Sequence, residues 1–297
     1  MLVITGATGQ LGSRVVEQVL ARVPADTVGV SVRDPAVAAH LAERGVRVRA
    51  GDFTEPASLR RAFEGASRVL VVSAAIRGDG AVAANLAAID AARECGAERV
   101  LYTSHQAASP TSQFLPQHTH AATEDHLASV GLPFTALRNG FYVSTVEHYL
   151  GAAVETGVLE LPEDGPFSWT HHDDLAEAAA IALVGADDAR LLDGVTPPLT
   201  APELLDFAAV AEVVGEALGR PVAHAVVSDE AWKAAAVERG MPAFAADFTL
   251  GLFRAARAGE FAVADPTLET VLRRPATTAR SAIAAMVSRH PGAATRG

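Results

Sequence analysis

Cysteine is nearly absent: Cys95 is the single one among 297 residues. A lone thiol excludes an internal disulfide and any Cys-rich zinc site, and it suits a reducing compartment, so a cytoplasmic protein is expected. Basic runs are missing too. With 24 Lys and Arg against 35 Asp and Glu the formal charge is −11, and no cationic stripe could neutralise a phosphate backbone or an anionic membrane surface. Nucleic acid is therefore not an expected partner. The longest apolar stretch, Val69 to Ile76, is too short to cross a bilayer as a helix, so no membrane insertion is expected. The N-terminus lacks a targeting pattern, since Met1-Leu2-Val3-Ile4-Thr5 leads directly into a glycine turn. His118-Thr119-His120 and His171-His172-Asp173 match no zinc spacing, and no metal is expected. Hydrolase chemistry has no G-x-S-x-G nucleophile turn to rest on.

What is present is a rhythm. Short β-branched runs alternate with Ala/Leu-rich helical segments through the first half, with strands expected at Leu2–Thr5, Val28–Val32, Val46–Ala50, Val69–Ser73, Val100–Thr103 and Phe134–Leu137. Asp34-Pro35 gives one helix its cap and first-turn proline, and Gly45 ends it; Thr54, Pro56 and Gly65 repeat that grammar. The continuous apolar run Val69-Leu70-Val71-Val72 suits a strand buried on both faces. The expected class is α/β, a Rossmann-type doubly wound parallel sheet with a smaller, mostly helical C-terminal lobe that binds the substrate. Residues 1–156 would form the dinucleotide-binding domain and residues 157–297 the smaller lobe, with the helix His172–Val184 returning to the main domain. The tail after Pro291 is expected to fray.

The strongest local signal is Gly6-Ala7-Thr8-Gly9-Gln10-Leu11-Gly12, between the first strand and a helix beginning near Gln10. Glycines there let the backbone bend sharply and approach a pyrophosphate, which the helix N-terminus stabilises. The spacing G-x-x-G-x-x-G is weak by itself and also fits a ligand-free turn; its place in a βαβ unit favours a nicotinamide dinucleotide. At the end of the second strand, Ser31-Val32-Arg33-Asp34 offers Arg33 where NAD-binding chains offer an acid for the ribose diol, so NADP(H) is expected and NAD(H) disfavoured. The alternative is that Arg33 is solvated or pairs with Asp34. Asp52 and Phe53, after the third strand, would meet the adenine edge or else serve helix entry and core. Ser73, Ala74 and Ala75 follow the fourth strand and fit the same ligand.

With these residues placed, the chain resembles the NmrA-like atypical short-chain dehydrogenases, and among them the NADPH-dependent quinone oxidoreductase 2 type. MLVITGATGQLGSRVVEQVL, VSVRDP, AGDFTEPASLRRAFEG, RVLVVSA, AERVLYTS, HTHAATEDHL, GLPFTALRNGFYVSTVEHYL and RRPATTARSAIAAM carry the likeness. It implies that Asn139, Gly140, Phe141, Tyr142, Val143 and Ser144 lie along the nicotinamide half of the cofactor. His120, Phe141, Tyr142 and Trp169 would line the substrate pocket, and Trp169, Phe244, Phe248 and Phe253 would face the substrate or fill the core of the small lobe. The superfamily's Tyr-x-x-x-Lys proton donor is missing: His120-Ala121-Ala122-Thr123-Glu124 stands in that helix, and Ser104 has no tyrosine partner. A ketone, whose reduction produces an alkoxide, is disfavoured unless His120 acts as the acid. A quinone, whose product is a phenolate-like anion, is favoured. The expected function is hydride transfer from NADPH to a small-molecule quinone or other hydride acceptor, with no catalytic residue assigned. The rival is an NADP(H)-binding redox sensor without turnover, and a homodimer is admissible.

Overall fold

The computed structural model describes residues 1–74, 76, 80–185 and 191–290. Ala75 and the tail after Pro291 lie outside the described residues. The first half comprises β1 Leu2–Thr5, α1 Gln10–Leu20, β2 Val28–Val32, α2 Ala39–Glu43, β3 Arg47–Ala50, α3 Pro56–Phe63, β4 Arg68–Val71, α4 Gly80–Glu94, β5 Arg99–His105, α5 Pro116–Ser129 and β6 Phe134–Asn139. Then follow β7 Phe141–Tyr142, α6 Glu147–Thr156, β8 Val158–Pro162, β9 Trp169–Thr170, α7 His172–Val184, β10 Gly194–Val195, α8 Phe207–Leu218, β11 Ala223–Val227, α9 Asp229–Glu238, α10 Ala243–Arg257, α11 Thr267–Leu272 and α12 Ala279–Arg289.

Seven parallel strands form the main sheet in the order β10-β6-β5-β4-β1-β2-β3, a Rossmann-like arrangement whose direction of winding reverses between β1 and β4. Parallel crossovers put helices on both faces, so Val3, Ile4, Val69, Leu70 and Val71 are sealed from water and need no polar alternation. One face packs against α1, α7 and α11, the other against α3, α4 and α5. Alanines at 176, 178, 179, 180 and 182 keep α7 slim enough to lie close on α1 and the sheet, and Arg14–Asp173 and Arg22–Glu177 pair at its solvent edge.

Two local expectations shift. Asp34 does cap, accepting the Ala36 N–H at 2.9 Å, but it opens a 3-10 turn over Pro35–Ala38 before α2 begins. Thr54 caps nothing: it donates its N–H and hydroxyl to Asp52, and α3 starts at Pro56 after Glu55. Phe141, Val143, Val146, Leu150 and Ala153 pack with Phe167, Trp169, Phe207, Phe253 and Phe261 in a separate aromatic core, because the chain leaves the sheet at the end of β6. Conversely β10 adds an edge strand beside β6, and α11 joins the core under α7. This packing argues for a division near Gly140, with the main domain reclaiming α7, β10 and α11. No helix among the described residues is long and apolar enough to cross a membrane.

Candidate cofactor and acceptor site

At the carboxyl ends of the strands, where the winding reverses, opens a cavity of about 540 Å³ lined in part by Thr5, Gly6, Thr8, Gly9, Ser31 and Arg33. Its floor is the glycine turn. Gly6 has φ +61°, a left-handed conformation, and its carbonyl accepts the Gly9 N–H at 2.9 Å. A Cβ at Gly12 would lie 2.1 Å from the Gly6 carbonyl oxygen, so only glycine lets α1 start this close to the turn. Gly9 caps α1 with no side chain over its end, which leaves the first N–H groups of the helix for a ligand's negative charge. Ala7 and Leu11 point into the core instead, and Gln10 is exposed at the first turn of α1.

Arg33 stands exposed on the cavity wall and forms no ion pair among the described residues. Asp34 is occupied as a cap, so the Arg33–Asp34 pair allowed by the sequence is not made. Asp52 and Phe53 line the cavity and also serve the fold: Asp52 accepts from the Thr54 backbone and hydroxyl, which holds its carboxyl below the usual range, and Phe53 packs on the core beneath. Ser73 and Ala74 line the far wall. The Ser31 hydroxyl is sealed beneath the cavity wall against Gly51 and has no protein partner among the described residues. Glycine cradle and free guanidinium together fit a phosphorylated dinucleotide.

The segment from Asn139 to Ser144 lies apart from this cavity. Asn139 and Val143 are buried, Tyr142 packs its ring 4.3 Å from that of His172, and Ser144 is half-buried. Gly140 is small for an internal reason, since a Cβ there would lie 2.1 Å from the Thr170 hydroxyl and 2.9 Å from the Leu199 carbonyl. Trp169 needs correction as a pocket residue. It is fully buried, stacked on Phe167 with centroids 4.3 Å apart, and its indole N–H donates to the Leu205 carbonyl, so no face is left for a substrate. Phe253 is likewise core, whereas Phe244 is exposed. Phe141 is buried in that core and meets the His105 ring in a T-shaped contact with centroids 5.3 Å apart.

Beside Phe141 the structure gathers groups that sequence spacing did not. His105, at the end of β5, stacks near-parallel to His120 of α5 at 6.1 Å. The Tyr102 hydroxyl lies 2.8 Å from His120 Nδ1 and accepts from the Asn85 amide at 3.1 Å. Burial lowers the pKa of His120 to about 4 and pushes that of His105 well down, so both are neutral near pH 7. Ser104, which has no tyrosine partner, donates to Glu124 at 2.6 Å, and Arg138 clamps the same carboxylate through two nitrogens. Among the described residues no group of three His, Cys, Asp or Glu could hold a metal.

Residues 1–257 match the NmrA-like family. The chain belongs to that family. Like other NmrA-like proteins it has close structural counterparts: an Escherichia coli NADPH-dependent quinone oxidoreductase, solved in complex with NADPH, superposes with TM-score 0.89 at 30% identity, covering 96% of this chain and 99% of that one. The Citrobacter sp. triphenylmethane reductase complexed with NADP(H) gives TM-score 0.89 at 30% identity, covering 96% and 100%. An NAD(P)H azoreductase of Xenophilus azovorans is 30% identical over 280 residues, 94% of this chain and 95% of its own length.

Asn85, Tyr102, His105, Glu124 and Arg138 of this NmrA-like chain are the residues that sequence reading missed. The available signal was polarity in buried places. Tyr102, Thr103 and Ser104 follow the apolar Val100-Leu101 in β5 yet are buried, and Asn85 and Glu124 fall on buried helix faces. Chemically the histidines and Tyr102 offer neutral hydrogen-bond donors and ring faces, while Arg138 is committed to Glu124.

Proposed function

We propose that this chain is an NADPH-dependent oxidoreductase that passes a hydride to a quinone. The observation that carries the reading is the strand-end cavity with its glycine cradle and unpaired Arg33, with neutral histidines and aromatics clustered at the end of the neighbouring strand β5. The N–H groups at the start of α1 bind the pyrophosphate, and Arg33 grips the 2′-phosphate by charge-assisted hydrogen bonds. When bound, the reduced dinucleotide supplies the hydride. The protein's task is then to bring a flat acceptor alongside and exclude water, which proximity and ring contacts accomplish. Neutral His105 and His120 can donate a hydrogen bond but carry no surplus proton. That suits a quinone, whose quinol anion, with a phenol pKa of about 10, needs stabilisation and only later a solvent proton. It does not suit a simple ketone. The names of the three relatives support the acceptor class, since quinones, azo compounds and triphenylmethane dyes are all conjugated ring systems.

The test is NADPH oxidation followed by absorbance, with small quinones, an azo dye, a triphenylmethane dye and simple ketones as acceptors. Turnover fastest with quinones and negligible with ketones is expected. Tight cofactor binding without turnover on every ring acceptor would overturn the enzyme reading in favour of a redox sensor.

A further inference from the structure

We infer that Asn85 and Tyr102 are positioning residues that fix His120 as the neutral tautomer protonated on Nε2, offering that N–H to the acceptor's oxygen. The inference deepens the proposed hydride-transfer reading and rests on it for the acceptor's identity, though not for the tautomer.

The chain of bonds favours one arrangement. The Ala74 backbone N–H, which can only donate, lies 2.9 Å from Asn85 Oδ1 and so sets the amide's orientation. Asn85 Nδ2 then donates to the Tyr102 oxygen at 3.1 Å and faces the Thr123 hydroxyl at 3.5 Å. Thr123 has already committed its proton to the Thr119 carbonyl at 2.7 Å, so it serves Asn85 as an acceptor. Tyr102 accepts from Asn85, and of the two groups beside its hydroxyl, Thr123 and His120 Nδ1, we assign its proton to the ring nitrogen at 2.8 Å. A ring nitrogen that accepts is unprotonated, so the neutral imidazole carries its hydrogen on Nε2. That nitrogen has no hydrogen-bond partner among the described residues, and the His120 side chain is partly buried. His105 is set the same way, its Nδ1 accepting the Ala107 N–H at 3.2 Å.

The relay begins on the wall of the dinucleotide cavity, because Ala74 lines it. One end therefore touches the cofactor site and the other presents a donor beside Phe141 and His105. In the reaction the hydride leaves the reduced nicotinamide with its electron pair, the quinone gains both and becomes the quinol monoanion, and the oxidised dinucleotide remains. His120 Nε2–H hydrogen-bonds the oxygen on which charge develops and keeps its proton; water supplies the proton that completes the quinol. An oriented donor of this kind acts on the transition state more than on the bound quinone.

The experiment has two arms on the full-length protein. In the first, histidine labelled with ¹⁵N is read by long-range ¹H–¹⁵N correlation at pH 7, with no acceptor present. His120 is expected as the neutral Nε2–H tautomer in the wild type and as a tautomer mixture in Tyr102→Phe. A wild-type Nδ1–H or doubly protonated ring would overturn the inference whatever the enzyme reduces. In the second, Tyr102→Phe is expected to lower kcat with a quinone about tenfold, the loss of one hydrogen bond, while quinone KM and NADPH affinity change little. His120→Leu should lower it at least as far, His120→Gln should recover part of the loss because its amide can place an N–H near Nε2, and Tyr102→Phe should add nothing in the His120→Leu background. Additive losses, or equal KM and kcat effects, would mean that Tyr102 acts by packing. A wild type that reduces no quinone would defeat the functional reading alone, and the spectroscopic arm would still decide the tautomer.

Discussion

The two ends of the site are built in different ways. The dinucleotide end is mostly backbone: a glycine turn, a helix N-terminus and strand ends, with Arg33 as its one distinctive side chain. The proposed acceptor end is made of side chains from α4, β5, α5 and the segment after β6, held in place by hydrogen bonds and ring contacts. A backbone site breaks when atoms are added, whereas a side-chain site breaks when atoms are removed.

The largest effect should come from the core behind the acceptor end. Trp169→Ala is expected to cost about 3–5 kcal/mol of stability, read from the urea midpoint, because it empties a sealed aromatic position. If stability held and only quinone KM moved, Trp169 would be pocket wall after all. At the other end, Gly12→Ala should weaken binding of both NADPH and NADH, on the order of 100-fold, since the new methyl group meets the Gly6 carbonyl and must displace the turn. Isothermal titration decides it, and retained affinity would separate the cradle from the ligand.

Acid should also tell the ends apart. His120 and His172 have folded-state pKa values of about 4, and His105 is lowered too, through burial first of all. Unfolded histidine titrates near 6.5. Between these values the unfolded chain binds more protons, so the stabilisation is complete above about pH 6.5 and is lost as pH falls toward 4. Unfolding free energies from urea titrations at pH 7 and pH 5 should differ by roughly 2 kcal/mol for each such histidine, and a variant with His105 and His120 both replaced by glutamine should lose part of that dependence. An unchanged dependence would place the titration elsewhere.

How far the sequence could be read follows the same division. Each of β1 to β6, the glycine turn and the full extent of α7 were legible, because local pattern, caps and glycines specify them within a few residues. Strands β5 and β6 run two residues past their expected ends, since Ser104↔Arg138 and His105↔Asn139 continue the ladder with polar side chains that carry no apolar signal. Of the proposed acceptor cluster, His120 and Phe141 were named from the sequence but their hydrogen-bonding partners were not: Asn85 and Tyr102 are 17 residues apart and Tyr102 and His120 are 18 apart, and the parallel sheet brings them together. The short edge strand β10 carries no periodic pattern of its own, and the aromatic core draws Phe141 and Trp169 together from separate segments.

The most direct test of the account is a titration of NADPH and NADH into the wild type and Arg33→Ala at two salt concentrations. A guanidinium on the 2′-phosphate predicts that the variant binds NADPH roughly 10- to 150-fold more weakly while NADH changes little. Higher salt should reproduce part of the loss in the wild type, because an exposed charge pair is screened. Equal weakening of both cofactors, or no change in either, would contradict the assignment of this cavity to NADP(H) through Arg33.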